Sequence, residues 1–313
     1  MDFASFLEPL QKLHDCNLCP RACHADRFTK ELGYCESDAS FNISSVCIHK
    51  GEEPAISGDK GICNIFFTHC NLQCIYCQNH QISNNSTPGE STTMALEEVI
   101  HQITTILDSG ISRVGFVSPS HFLAQVRIII DCVHSMGYKP VWVYNSNGYD
   151  KPESLKSLEG IIDVYLPDLK YMDAELANDY SDAPDYPKAA SIALKEMFRQ
   201  KGSILHLDEN NCALSGMIIR HLVLPGQIEN SKKVLNFIAE ELSTKLNVSL
   251  MSQYFPTPKV SCHPKLKNHV LAREYEAVVA EMERLGMHNG WIQDLDSSGT
   301  YRPDFDEEYP FSS

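Results

Sequence analysis

Three cysteines, Cys70, Cys74 and Cys77, fall within eight residues of one another in the run Thr68 to Asn79 (THCNLQCIYCQN). Their C-x3-C-x2-C spacing offers three thiolates to one compact group. Ferredoxin-type electron carriers hold a [4Fe–4S] cluster with four cysteines. A triplet leaves one iron without a protein ligand, and that iron is open to bind something. The alternatives are a zinc knuckle or unrelated core cysteines. Zinc sites usually pair cysteines as C-x2-C with a distant second pair, which this run lacks.

A second group precedes it. Cys16, Cys19, Cys23 and Cys35 have the spacing C-x2-C-x3-C-x11-C, and Cys47 and Cys63 are near enough in sequence to replace one of them. Four thiolates could close a tetrahedral zinc site or a second iron–sulfur cluster. Reduced packing cysteines are the third reading, and spacing does not choose among the three. A second cluster could relay electrons to the first; zinc would only staple a segment without a core of its own. Cys132, Cys212 and Cys262 are scattered and read as core or surface thiols.

Positioning such groups needs a scaffold. Residues 1–60 read as an irregular, cysteine-rich segment, residues 61–290 as the regular core and residues 291–313 as an acidic tail. Within the core, apolar β-branched and aromatic runs predict strands at Ile62–Thr68, Arg113–Val117, Pro140–Tyr144, Ile161–Leu166, Met217–Leu224 and Val248–Ser252. Helices with a 3.6-residue apolar period alternate with them. One is capped by Thr93 and carries Leu96, Val99, Ile100, Ile103 and Leu107. Others run from His121 to Met136, near Glu153–Leu158, from Asp173 to Gln200 with breaks at Pro184 and Pro187, from Lys232 to Leu242 and from Leu271 to Leu285. Six strand–helix units imply a parallel sheet of the α/β class. They fall short of the eight that close a barrel, so the expected architecture is an open, partial (β/α)6 TIM-type barrel. The tail from Asp304 to Ser313 reads as mobile.

Composition bounds the function. The 313 residues carry a net charge of −15, which argues against broad nucleic-acid binding. Hydrophobic residues make up 43% of the chain, enough for a sizeable core, yet no apolar run spans a bilayer. The N-terminus has no basic stretch followed by an apolar one, so no signal peptide is read. Twelve cysteines without a secretory signal favour thiolate ligands over disulfides and a cytoplasmic location. An exposed cluster would suit a low-oxygen setting.

Chemistry in parallel α/β sheets collects at the carboxyl ends of the strands. There the sequence places the cysteine loop, then Ser118 to His121, Asn145 to Gly148, Asp168 to Lys170, Arg220 with Pro225 and Gly226, and Gln253 with Tyr254. Plainer readings stand beside the functional ones. Asn145 and Asn147 could only shape a turn; Asp168 and Lys170 could be a surface ion pair; Arg220 could pair with an acidic neighbour; His121 could cap or pack.

The cysteine triplet with Tyr76 before its third member resembles the signature of the radical S-adenosylmethionine (SAM) superfamily. The strand ends, the segment Cys16–Cys23 (CNLCPRAC), Gly51–Pro54 (GEEP) and Cys77–Asn79 resemble the pyruvate formate-lyase activating enzyme group, in particular relatives with an N-terminal cysteine segment. The resemblance covers nearly the whole chain. It implies a [4Fe–4S] cluster on Cys70, Cys74 and Cys77, with SAM bound to the open iron. It places Tyr76 beside the adenine, Asp168 and Lys170 against SAM, Asn145 to Asn147 near the ribose, and Arg220 near the carboxylate or ribose. The Gly-Gly-Glu-type segment that holds the SAM amino group in such proteins is replaced by Val117–Ser120 (VSPS), where backbone carbonyls with Ser118 or Ser120 would serve. The implied activity is reductive cleavage of SAM to a radical that takes hydrogen from a glycine of a partner glycyl radical enzyme. A flavodoxin- or ferredoxin-type protein would supply the electron. A small-molecule substrate or another protein modification is the second enzymatic reading, and a metal-stapled binding protein the non-enzymatic one.

Overall fold

A computed structural model describes residues 3–29, 31–86, 93–295, 302–307 and 309–311. The strands are β1 (Ile43–His49), β2 (Ile62–Phe67), β3 (Arg113–Val117), β4 (Val141–Asn145), β5 (Val164–Tyr165), β6 (His206–Leu207), β7 (Ala213–Leu222), β8 (Asn247–Met251) and β9 (Gly290–Ile292). The helices are α1 (Pro54–Ser57), α2 (His80–Ser83), α3 (Leu96–Asp108), α4 (Leu123–Ser135), α5 (Pro152–Lys156), α6 (Ala174–Ser181), α7 (Tyr186–Lys201), α8 (Ile228–Phe237) and α9 (Ala272–Arg284).

One open sheet runs in the order β1-β2-β3-β4-β5-β7-β8-β9, with β6 paired to β7. From β2 to β9 along this path every pair is parallel. The expected α/β class and the open six-strand core are therefore observed, in sequence order. Every residue of β2 is buried, as a strand covered on both faces must be. Helix α3 turns Leu96, Val99, Ile100 and Ile103 inward at the helical period. Phe67 stacks on Phe122 at 4.8 Å and Phe116 on Trp142 at 5.4 Å, filling the space between sheet and helices.

Several expectations are corrected. Residues 1–60 are not irregular throughout: a 3-10 helix spans Glu8–Asp15, and β1 pairs antiparallel with β2 as the sheet edge. Thr93 does not cap α3; it bridges Asn42, and the helix starts three residues later. Pro187 lies in the first turn of α7, where its missing N–H costs nothing, so only the turn containing Pro184 separates α6 from α7. The fourth predicted strand shrinks to Val164–Tyr165: at its amino end the Asp163 side chain, not a backbone carbonyl, takes the Trp142 N–H. The parallel strand β9 crosses the expected tail boundary at residue 291. Within the described part of the tail, Phe305 and Phe311 pack against Phe66 at 5.3 and 5.4 Å, so these residues are anchored; Ser313 lies outside the described residues. Among the described residues no helix is long and apolar enough to cross a membrane.

Candidate cluster and cofactor site

The loop after β2 carries Cys70, Cys74 and Cys77 over the carboxyl ends of the strands. Each sulfur receives a hydrogen bond. Cys70 Sγ accepts from the Leu72 N–H at 3.4 Å and from Asn147 Nδ2 at 3.5 Å; Cys74 Sγ accepts from Ser181 Oγ at 3.0 Å, and Cys77 Sγ from Ser83 Oγ at 3.2 Å. Donors to sulfur stabilise thiolate character and tune a cluster's potential. Burial pushes the free Cys70 thiol up to about 12, with the neighbouring Cys74 adding to the shift. A bound metal reverses this by deprotonating its thiols outright. These donors and the common loop fit a cluster.

The triplet forms one wall of a cavity of about 670 Å3, within the range of ligand sites. Every residue expected to touch a cofactor lines it: Tyr76, Ser118, Asn145, Asn147, Asp168, Lys170 and Arg220. The strand register brings them there. Asp168 and Arg220 form a parallel bridge just beyond β5, and Gly148 lets the turn after β4 pass close to the Asp168 carbonyl with φ +81°. Ser118 holds a left-handed conformation at φ 52°, a costly one for a residue with a side chain, at the point where β3 opens into the cavity.

Arg220 is the hub. Its Nε donates to Asp168 at 2.9 Å, one terminal nitrogen to Glu52 at 3.1 Å and the other to Asn145 at 2.6 Å. Lys170 reaches the second oxygen of Asp168 at 2.6 Å. Burial alone would raise the Asp168 carboxyl, but the Arg220 and Lys170 charges outweigh it and hold the group below its usual range. The pair is therefore no surface ion pair, and the acidic partners of Arg220 are Asp168 and Glu52. Asn147 serves both readings: its Oδ1 accepts the Tyr149 N–H as in an Asx turn, while its Nδ2 reaches Cys70 Sγ and Asn71 Oδ1. Tyr76 is buried, its hydroxyl 2.5 Å from that of Tyr171, which meets Ser181 and through it Cys74.

Sequence reasoning passed over the acidic floor. Glu52 and Glu53, in the turn after β1, enter the cavity from the segment read as irregular. Glu52 accepts from Asn64 at 2.9 Å as well as from Arg220 and Asn145. Glu53 is buried, and that burial raises its carboxyl above the ordinary value against the pull of Arg220. Among the described residues its Oε2 has no hydrogen-bond partner, and neither has Nδ1 of the neighbouring His49. An orphaned carboxylate oxygen calls for a donor from a ligand. The signal available in the sequence was two adjacent acids before Pro54 in the Gly51–Pro54 run. His121 is buried, with Nε2 3.3 Å from the Thr68 carbonyl; it packs beside the N-terminal cysteines, outside the main cavity.

The open parallel sheet, with three sulfur ligands at the mouth of a strand-end cavity, defines an α/β scaffold built around an iron–sulfur group. Residues 56–180 match the sequence model of a 4Fe–4S single cluster domain. That match spans the whole cysteine loop and supports a [4Fe–4S] cluster as the chain's cofactor. An uncharacterized protein of Methanocaldococcus jannaschii is 27% identical over 280 residues, which is 87% of this chain and 75% of that protein. Among solved structures, SuiB of Streptococcus suis bound to S-adenosylmethionine aligns at TM-score 0.47 and 12% identity over 72% of this chain and 48% of SuiB. HydG, a maturase of the [FeFe]-hydrogenase, aligns at TM-score 0.46 and 13% identity over 71% of this chain and 48% of HydG. The chain spans about half the length of these solved structures.

Proposed function

We propose that this chain is a radical SAM enzyme and that its substrate is a glycine Cα–H of a partner glycyl radical enzyme. The observation that carries the reading is the three-cysteine loop, one ligand short of a closed cluster, facing a polar cavity at the strand ends. When bound, the cluster and SAM would supply one-electron cleavage of the sulfonium to methionine and a 5′-deoxyadenosyl radical. The protein's part is placement. Cys70, Cys74 and Cys77 would hold the cluster. Asp168, Lys170, Asn145, Arg220 and Ser118 would hold SAM, with Tyr76 beside the adenine. Glu52, Glu53, Asp168 and Asp294 in the cavity wall, against Lys50, Lys170 and Arg220, suit a cationic sulfonium and ammonium. The unpartnered Glu53 oxygen offers the amino group a carboxylate acceptor, which Val117–Ser120 lacks in its side chains. Leu72, Met251, Trp291 and Phe311 line the same space and would limit water there. The electron would come from a flavodoxin- or ferredoxin-type donor in the cytoplasm.

Anaerobic reconstitution with iron and sulfide, reduction, and incubation with SAM test the class. The wild type should form 5′-deoxyadenosine and a Cys74→Ala variant none. Absence of product from the reconstituted wild type would refute it. Mixing with a glycyl radical enzyme encoded beside the gene should give a glycyl doublet in electron paramagnetic resonance. Product without that doublet would move the substrate to a small molecule or another protein modification.

A further inference from the structure

The four N-terminal cysteines have no part in the reading above, yet the fold gathers them. Cys16, Cys19, Cys23 and Cys35 line a single small cavity together with Arg21, Arg27 and His121. Two of the four, Cys19 and Cys35, are buried, and Cys23 is exposed. Gly33 lets the returning chain lie against Cys23, since a Cβ there would stand 2.8 Å from Cys23 Cβ and 3.0 Å from its sulfur. The Tyr34 N–H donates to Cys23 Sγ at 3.3 Å, as the donors do at the other cysteine loop.

The size of the cavity discriminates between ligands. Zinc sits about 2.3 Å from each thiolate, so a tetrahedral site has no free space at its centre. The cavity that these cysteines line admits a water-sized sphere. Among the described residues no three His, Cys, Asp or Glu side chains are gathered to hold a single metal ion. That holds equally for Cys70, Cys74 and Cys77, inside the segment that matches a 4Fe–4S domain. Neither group is gathered on one ion, and each borders a cavity, which suits the larger cubane.

Charge and position agree. Arg27 is buried and donates only to carbonyl oxygens, of Asp38 at 3.0 and 2.7 Å and of His121 at 2.5 Å. Arg21 donates to the carbonyls of Asn71 at 3.0 Å and Asp182 at 2.6 Å. Two guanidinium groups beside four thiols, with no carboxylate among these acceptors, are poised for an anionic occupant. Asn71 lies between the two cysteine groups: its carbonyl accepts from Arg21 beside the first, and its Oδ1 lies 3.8 Å from Cys70 Sγ in the second.

We propose that Cys16, Cys19, Cys23 and Cys35 hold a second [4Fe–4S] cluster that carries single electrons from a flavodoxin- or ferredoxin-type protein to the cluster at Cys70, Cys74 and Cys77. One electron enters on the exposed Cys23 side and one leaves across Asn71; the site returns to its starting state, and no bond is made or broken. The relay rests on the radical SAM reading, whereas occupancy by a cluster does not.

The test begins with a Cys70→Ala/Cys74→Ala/Cys77→Ala variant of the full chain, reconstituted anaerobically. It should retain roughly half the iron and acid-labile sulfide of the wild type and give a reduced-cluster paramagnetic signal. Zinc without sulfide, or no metal, would overturn the proposal. The complementary Cys19→Ser/Cys35→Ser variant should also lose half the iron. Its 5′-deoxyadenosine formation should collapse with the protein donor and persist with dithionite. Equal loss with both reductants would mean a structural role and would overturn the relay. Failure of the wild type to cleave SAM would sink the enzyme reading alone and leave the iron and sulfide counts standing.

Discussion

Replacing Arg220 with methionine tests the central claim about the cavity floor. Methionine keeps most of the side-chain volume and removes the charge. In the native protein the guanidinium is 16% exposed and joins Asp168, itself 16% exposed, to Glu52, which is 9% exposed. Its loss leaves two largely buried carboxylates, of which only Asp168 keeps a cation, Lys170. Breaking such a buried pair costs about 3–5 kcal/mol. That is a large share of the roughly 5–15 kcal/mol that holds a folded domain together. For a chain of this size the melting temperature should fall by about 5–8 °C. The sign of the pH dependence gives a second check. Asp168 is held below its ordinary value in the native protein, so its contribution is present above the unfolded pKa and is lost as pH falls through the folded one. Without Arg220 the Asp168 carboxyl protonates more readily, and the deficit of the variant should shrink between neutral pH and about pH 4. Anaerobic urea titrations of the metal-free protein, followed by circular dichroism at both pH values, read both effects. A loss below about 1 kcal/mol, or one that is independent of pH, would refute the buried-network argument.

Three further outcomes are expected. Gly148→Ala forces a Cβ onto the Asp168 carbonyl at φ +81°, so it should cost more than about 1 kcal/mol in the same titrations; an unchanged midpoint would show that the turn is loose. Ser181→Ala removes the donor to Cys74 Sγ, and a redox titration followed by paramagnetic resonance should show a more negative cluster potential. An identical potential would detach that hydroxyl from the cluster. Burial pushes the imidazole of His221 down to about 4, against the Leu169 carbonyl that favours its charged form. Below about pH 6.5 the unfolded chain takes up a proton that the native one refuses, so stability falls as pH drops toward 4, by up to about 3 kcal/mol. His221→Gln should flatten that acid limb of the stability profile; a slope unchanged by the substitution would place the proton elsewhere.

The division between what was legible and what was not follows sequence distance. Cys70, Cys74 and Cys77 read clearly because their ligand set is local and its spacing is set by one loop. The strands β2, β3, β4, β5, β7 and β8 were legible because each falls within an apolar run between turn signals, and parallel order then brings Ser118, Asn145, Asp168 and Arg220 to one rim. Glu52 and Glu53 escaped because their place depends on β1 doubling back antiparallel along β2, a pairing that half-buried Ser44, Ser45 and Val46 do not announce by alternation. Thr93 misled for the same reason: a nearby β-bridge to Asn42 outweighed its local preference for a cap. The role of Arg220 was half visible, since a cation in a strand demands a counter-charge, but three acceptors from three distant segments could be assigned only by the fold. The N-terminal cysteines are the intermediate case. Their spacing named four candidate ligands and could not show that the fold lines one cavity with them, and that cavity, with Arg27 left bonded only to carbonyls, is what the proposed second cluster rests on.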